Sequence, residues 1–537
     1  MTSWNYGDVI ETVADAIPDA VAVRQGDRAL TYGELISRAD ALGQLLWERG
    51  ASLQDKVAIY LYNGPEYVIS TVAALHARLV PVNTNYRYGD DELAYLWDNA
   101  DCVAVVFHGS FTERVGRLRA RCPRVATWVH VDDGTEPCPE WAVPFESSTE
   151  PRGSRARYER SGDDLILLYT GGTTGMPKGV MWPHDDLFRR LNAAGLRRYD
   201  HEAGLDEVTA VVERDGAGAP IVVACPLMHG TGLFSTLEYL CEGGTVVVLA
   251  SRRFDADELV DTIAATQAAL AVIVGDPFAR PMLESLRSNG RGDRVASLRG
   301  MISSGAMWSE EIKRGLLEFN AAMLLIDGFS SSEALGMGSS VMGGGLAPKT
   351  AEFTLGADVR VLAEDGSDVV PGSDVPGMLA LGGRLPLGYY KDEAKTEATF
   401  KVIDGMRYSV PGDWAKVRAD GTILLLGRGS QCINTAGEKV FPEEVEEALK
   451  THPTVADACV LGTRDERWGE VVMAVVEPRD GASPVEAELI AHVKAHLAHY
   501  KAPRRVRVVA SIGRTPAGKM DYATNRDQLT AWLASGS

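Results

Sequence analysis

Apolar positions recur with two different periods along the first half of the chain. Between Glu34 and Arg49 they fall three and four residues apart, which predicts an amphipathic helix, and the same spacing runs from Glu66 to Leu79, just before Val80-Pro81-Val82-Asn83. Short continuous apolar runs at Val57 to Leu61, Leu165 to Leu168, Ile221 to Ala224, Thr245 to Leu249 and Leu270 to Val274 predict buried strands. Strand and helix alternating in this way build βαβ units, hence a largely parallel sheet covered by helices on both faces. From about Cys138 to Gly162 the pattern gives way to Pro, Ser, Arg and Glu, the composition of a surface connection. After Ala351, short strands separated by Gly, Asp and Pro turns predict a small β-rich subdomain over about 351–428. Past Gly427-Arg428-Gly429-Ser430 the remainder reads as α+β and is long enough for a small independent domain. The expected fold class is α/β: a large N-terminal domain of stacked βαβ sheets with its β-rich subdomain (1–428), then an α+β C-terminal domain (429–537).

Composition narrows the function classes. A chain of 537 residues, 45% hydrophobic and 24% charged, is of ordinary globular make-up and too long for one core. Its formal net charge of −20 opposes non-specific binding to nucleic acid or anionic membrane, so any phosphate-rich ligand must meet a local group of cations. Seven scattered cysteines without CxxC spacing predict reduced thiols in a cytoplasmic protein, neither a disulfide framework nor a metal site. The N-terminal residues show no export signal, and no apolar run reaches eighteen residues, so neither export nor a membrane span is expected.

Candidate chemistry concentrates first at Leu167–Val180, LLYTGGTTGMPKGV. A buried strand runs into Thr170, Gly171, Gly172, Thr173, Thr174 and Gly175, where glycines permit backbone N–H groups to crowd round an oligophosphate. The threonines add hydroxyl donors and Lys178 a cation. The loop is not G-x-x-x-x-G-K-[ST], because Pro177 and Gly179 stand where that motif needs Gly and Ser or Thr. It resembles the phosphate-loop signature of the adenylate-forming superfamily, which includes acyl-CoA synthetases, luciferases and adenylation domains of peptide synthetases. The resemblance extends from LTYGEL at Leu30 to TPAGKMDY at Thr515.

That resemblance implies roles for residues further along. Asp327-Gly328-Phe329-Ser330-Ser331-Ser332-Glu333 is similar to the segment in which an aromatic ring stacks on adenine (Phe329), a hydroxyl touches the α-phosphate (Ser332) and a carboxylate ligates Mg²⁺ (Glu333). Without the resemblance, the same residues read as a serine-rich turn capping a helix that starts near Glu333. Asp327, Gly328, Ser330 and, upstream, Gly305 fall among the expected nucleotide contacts. Tyr408-Ser409-Val410-Pro411-Gly412-Asp413 resembles the turn whose carboxylate accepts both ribose hydroxyls, with Arg428 completing the clamp. Lys519, in Arg514-Thr515-Pro516-Ala517-Gly518-Lys519, matches the lysine that crosses the closed cleft during adenylation. Its physical use is to offset the repulsion between an attacking carboxylate and a phosphate. Ser430 matches the hinge of a mobile C-terminal lid, and Ala436, Gly437 and Glu438 match the loop that lines the pantetheine path. Three positions depart from the family pattern: Ser330 for Gly, Ser430 for Asp, and Ala436 for the first of a Gly-Gly pair.

On the acyl side, Pro226-Leu227-Met228-His229-Gly230 resembles the segment whose histidine borders the substrate carboxylate. The expected pocket runs from His229 to Phe234, around Val274 to Phe278, and over Ser303 to Met307, with Ala306 among its contacts; these residues are small or apolar, with no Asp or Lys set to meet an ammonium. Lys501, Arg504, Arg505 and Arg507 form a basic group that could meet CoA phosphates. His492, His496 and His499 share helical spacing but have no acidic partner placed to make a metal site. Taken together, these imply an AMP-forming acyl-CoA ligase using ATP, Mg²⁺ and coenzyme A. VPGDWA, LLGRGSQCIN, GEKVFPEEVEEAL and RTPAGKMDY look most like bacterial ligases of steroid or other polycyclic terpenoid carboxylates. Two alternatives stand beside it: a ligase that only thioesterifies an acyl-AMP supplied by a partner enzyme, and a non-catalytic nucleotide-binding homologue. Whether the chain forms a homodimer is left open.

Overall fold

The computed structural model describes residues 3–171, 176–200, 202–288, 290–435, 438–465, 469–514 and 520–534. The chain forms two compact units, Met1–Gly336 with Val341–Ala347 and Gly383–Arg407, and Met337–Ser340 with Pro348–Gly382 and Tyr408–Ser537.

In the first unit the predicted apolar runs become the central strands of two sheets. One carries, in spatial order, Gly388–Tyr389, Lys178–Pro183, Leu165–Thr170, Val80–Asn83, Lys56–Tyr60, Cys102–His108, Thr127–Val131 and Val143–Pro144. From Leu165–Thr170 onward its neighbours are parallel, whereas Lys178–Pro183 runs antiparallel to both of its own. The other sheet orders Val21–Gln25, Thr245–Val248, Pro220–Val223, Leu270–Ile273, Gly300–Ser304 and Leu324–Ser331, all parallel. Strands buried on both faces must be apolar throughout, which is why they read as unbroken runs. The expected helices appear as Tyr32–Glu48 and Pro65–His76. Thr31 and Glu34 close the first of these with a reciprocal cap, and every residue of the second is buried.

Two expectations change. The segment after Phe329 does not start a helix at Glu333: Leu324–Ser331 is a strand, and Ala334–Met342 is another directly after the turn. The residues 383–407, placed by sequence inside the β-rich subdomain, pack with the first unit because Gly388–Tyr389 pairs with Met181 and Val180.

The second unit holds an antiparallel sheet in which Glu352–Leu355, Ile423–Arg428, Asp413–Val417 and Pro376–Leu381 lie side by side. It also holds a mixed sheet of Glu438–Val440, Ile433–Thr435, Gly469–Pro478, Val455–Asp465 and Arg505–Val508. The Pro442–Lys450 and Glu486–His496 helices seal this second sheet through Val445, Leu449, Leu489 and Val493.

Candidate active site

The site in the first unit starts from one hairpin. Thr170, last residue of its strand, stands opposite Lys178 in the antiparallel register, so the two ends of the phosphate loop are held together by ladder pairing. Gly171 is exposed beside Tyr88, where a methyl group would lie 3.3 Å from the phenol oxygen. Gly172, Thr173, Thr174 and Gly175 lie outside the described residues. The Lys178 ammonium is 3.0 Å from Asp392 and 5.8 Å from the centre of the Tyr389 ring. Burial would raise the Asp392 carboxyl, but Lys178 and the Lys395 amide outweigh it and hold it below the usual carboxylate range. The Tyr389 hydroxyl in turn donates to Glu333 Oε1 at 2.7 Å. Trp182 Nε1, on the same hairpin, donates to the Ser332 carbonyl at 2.9 Å. Lys178 and the Ser332-Glu333 turn are thus brought together through Tyr389 and Trp182.

The neighbouring strands complete the arrangement. Ser303 pairs with Asp327 and Ser304 with Gly328, which sets the Gly305-Ala306 loop beside Gly328-Phe329. Gly305 has φ +95°, a conformation that disfavours any side chain. Phe329 and Ser332 are half-buried. Asp327 points elsewhere: this residue is 4% exposed and its carboxylate is bonded to Lys313 Nζ at 3.1 Å. Burial raises the Asp327 carboxyl to about 6, with Lys313 opposing the rise. Ser330 folds its hydroxyl back to accept from the Gly336 N–H at 2.9 Å.

His229 immediately precedes the Gly230–Cys241 helix. Asn83, itself buried, donates to the carbonyls of Met228 (2.6 Å) and Tyr169 (2.9 Å) and accepts from the Tyr169 N–H. That single amide ties the histidine loop to the phosphate-loop strand. Asn63 braces the other side, donating to the Cys225 carbonyl and accepting from the Leu227 N–H. A methyl group on Gly230 would lie 3.3 Å from Leu168, and Thr231 Oγ1 donates to the Ser304 carbonyl at 3.3 Å. His229, Gly230 and Gly305 consequently border one space next to the phosphate-loop strand.

In the second unit Asp413 and Arg428 face each other across paired strands, and Arg428 Nε is 3.3 Å from Asp413 Oδ1. Asp413 is buried and Arg428 exposed. Behind them Gly427 has φ +105° and leaves no room for a methyl group, because the Glu443 carboxylate fills that place. Ser430 sits in a short turn, Gly429–Gln431, whose first N–H donates to the Gly412 carbonyl. Ala436, Gly437 and Lys519 lie outside the described residues, and Glu438 opens the Glu438–Val440 strand. The basic group is largely engaged: Lys501 pairs with Glu444, Arg505 with Glu486, and Arg507 donates to the Gln528 carbonyl. His492 bonds Thr451 and meets His452 edge to face, and no cluster able to hold a metal is found among the described residues.

Sequence profiles decide which family this geometry belongs to. That of the AMP-binding enzymes matches residues 10–390, and that of their C-terminal domain matches 444–519. The chain belongs to the AMP-binding enzyme family. It is 40% identical over 532 residues to the medium/long-chain-fatty-acid–CoA/3-oxocholest-4-en-26-oate–CoA ligase of Mycolicibacterium smegmatis, covering 97% of this chain and 96% of that one. It is also 40% identical over 541 residues to the 3-oxocholest-4-en-26-oate–CoA ligase of Rhodococcus rhodochrous, covering 98% and 96%. Its fold matches the anthranilate CoA ligase AuaEII in complex with anthranoyl-AMP, with a TM-score of 0.83 at 20% identity over 100% of this chain and 99% of that one.

AMP-binding enzymes use ATP, Mg²⁺ and CoA, and the described residues fit that set. Glu333 receives a phenol hydroxyl from Tyr389 rather than a cation, a setting that fits a carboxylate that would hold Mg²⁺. One carboxylate completed by substrate phosphates is how Mg²⁺ is usually held, in keeping with the lack of any three-ligand protein cluster among the described residues. Tyr389, Asp392, Asn83 and Asn63 escaped the sequence reading. Only Asn83 carries a signal there, as the one polar residue ending the apolar Val80–Asn83 strand.

Proposed function

We propose that this AMP-binding enzyme joins a bulky apolar carboxylic acid to coenzyme A through an acyl-adenylate. One observation carries the proposal: Lys178, Glu333 and His229 belong to one packed unit, linked through Tyr389 and Asn83, so cation, metal carboxylate and acyl pocket share a scaffold. Glu333 would hold Mg²⁺, which would supply neutralisation of the phosphate charge. Lys178 meets the phosphate tail, Phe329 stacks on the base, and Asp413 with Arg428 holds the ribose. His229 borders the acid's carboxylate, and Lys519 offsets the repulsion as a carboxylate oxygen bonds to the α-phosphorus and the bond to pyrophosphate breaks. The C-terminal domain then turns about Ser430, withdraws Lys519, and brings the 436–438 loop to the thiol of CoA. The relatives' names support a steroid-like or long-chain acid, and the apolar lining predicted around His229 suits one. The seven cysteines are all free, which supports a reducing, cytoplasmic setting.

Paired half-reaction assays test this reading. Wild type should release pyrophosphate from ATP plus a steroid or long-chain acid and form thioester from synthetic acyl-AMP plus CoA. Lys519→Ala should lose roughly 10²–10³ of the first rate, as expected for one electrostatic group, while keeping most of the second. Wild type active only with supplied acyl-AMP would replace the proposal by a thioesterification-only ligase, and equal loss of both steps would remove the assigned role of Lys519.

A further inference from the structure

The two halves of the site in the first unit rise from different sheets. The phosphate loop leaves the Leu165–Thr170 strand of one, and the Cys225–His229 segment follows the Pro220–Val223 strand of the other. Two asparagines cross from the first sheet to that segment. Asn83 ends the Val80–Asn83 strand, and Asn63 lies just past the Lys56–Tyr60 strand that pairs with it. Asn83 is 4% exposed; its amide donates to the carbonyls of Met228 at 2.6 Å and Tyr169 at 2.9 Å, and its oxygen accepts from the Tyr169 N–H at 2.6 Å. Each of those carbonyls belongs to a peptide plane that continues into a site residue, Tyr169 into Thr170 and Met228 into His229. The His229 N–H in turn donates to the Pro226 carbonyl at 3.2 Å. Asn63 donates to the Cys225 carbonyl at 2.9 Å and accepts from the Leu227 N–H at 2.8 Å. Gln25, from the second sheet, donates to the Asn63 carbonyl at 3.0 Å and to that of Leu249 at 3.1 Å, so the crossing is tied from both sides. A buried carboxamide held by three such bonds has little freedom left, and breaking any of them leaves a buried polar group unpaired.

Adenylation needs what such a strut supplies. A carboxylate oxygen has to be held about 3–3.5 Å from the phosphorus it attacks, and here the acid and the phosphates are placed by segments of different sheets. We propose that Asn83, with Asn63 as its brace, is a positioning residue that sets the distance between the His229 end of the acyl pocket and the phosphate loop. This rests on the function proposed above and adds to it the groups that bring the two substrates into register. The consequence is confined to one half-reaction. Once acyl-AMP exists, its own covalent bond fixes the acyl carbon relative to the phosphorus, and the strut has no distance left to set when CoA attacks.

Three variants test this. Asn83→Ala removes all three bonds of the amide. Asn83→Asp keeps the volume and an acceptor for the Tyr169 N–H but, ionised, donates to neither carbonyl. Asn63→Ala loosens the brace without touching the phosphate-loop strand. Pyrophosphate release from ATP plus a steroid or long-chain acid, and thioester formation from synthetic acyl-AMP plus CoA, are measured on the same preparations. Both Asn83 variants should lose about 10²-fold in the kcat of adenylation, the cost of a misplacement of about 1 Å, and Asn63→Ala about tenfold. KM for ATP and for the acid should stay within about threefold of wild type, as should thioester formation, because each substrate keeps its own binding surface. A merely structural role predicts something else: partial unfolding removes whole active sites and lowers both half-reactions in one proportion. Proportional loss, a loss confined to KM, or full adenylation by the variants would overturn the proposal. Should the Asn83 variants fail to fold, as judged by melting temperature, Asn63→Ala decides on the same criteria. A wild type that forms thioester from acyl-AMP but releases no pyrophosphate would overturn the proposed function and this proposal with it, whereas an active wild type beside unaffected variants overturns this one alone.

Discussion

Among single residues, Tyr389 is the position whose role the sequence conceals. Its phenol donates to Glu333 Oε1 and its ring lies beside the Lys178 ammonium, so one side chain contacts both the carboxylate proposed to hold Mg²⁺ and the cation proposed to meet phosphate. Tyr389→Phe keeps the ring and removes the donor. We expect a several-fold rise in the Mg²⁺ concentration needed for half-maximal adenylation and about a tenfold loss of that half-reaction, in line with outer-shell partners of metal ligands. Thioester formation from supplied acyl-AMP should be largely kept. A Mg²⁺ titration of pyrophosphate release checks this, and a curve superimposable on that of wild type would refute it. Motif residues such as Glu333 and Asp413 stand out in the sequence because their segments resemble those of the family. Their partners do not: Tyr389 is 56 residues from Glu333, and the Lys313 that anchors Asp327 sits on a separate helix.

Among helices and strands, the apolar runs announced the buried strands, and the parallel order followed from alternation with helices. What stayed hidden was the strand pair around Glu333, where Gly-Ser-rich residues carry no clean period. The Pro442–Lys450 helix shows a further property invisible in its pattern. Proline opens it, Glu444 accepts from the Phe441 N–H, and Val445 and Leu449 face the core. Glu443 and Glu446 are acids on the inner side. Burial, with Glu446 adding repulsion, raises the Glu443 carboxyl to about 8; burial likewise raises Glu446 to about 7, though it accepts from the Val460 N–H. The Arg428 N–H bonds Glu443, and the Asp413 charge adds to the repulsion on it. Carboxyls raised above their unfolded values favour the folded state in the protonated form. Their contribution is full below about pH 4.5, the ordinary glutamate value, and is lost as pH rises through 7 to 8. Glu443→Gln is nearly the same shape and cannot ionise. It should flatten the decline in melting temperature between about pH 5 and 8 and stabilise the second unit by about 1–3 kcal/mol at the upper end. Calorimetry across that range decides, and parallel curves for variant and wild type would reject the assignment.

For the chain as a whole, a net charge of −20 means that ATP and CoA must be gathered by local cations, and the proposed ones, Lys178 and Arg428, lie one in each packed unit. The family profiles likewise break between 390 and 444. Chemistry that uses Lys519 in one step and the 436–438 loop in the next needs a pivot, and Gly429–Gln431 is a short turn between the Ile423–Arg428 strand and the Ile433–Thr435 strand. Only a few residues have to change φ and ψ at such a joint. A proline in place of Ser430 would fix its own φ near −65° and disfavour the helical region for Gly429, so it restricts both dihedral pairs at once. If the pivot is there, Ser430→Pro should hold adenylation within about threefold of wild type while thioester formation from acyl-AMP falls by about tenfold or more, since gating then limits only the second step. A melting temperature close to that of wild type would separate this from misfolding. Two half-reactions that fall together would place the pivot elsewhere, and full activity in both would show that no rotation about residue 430 is required.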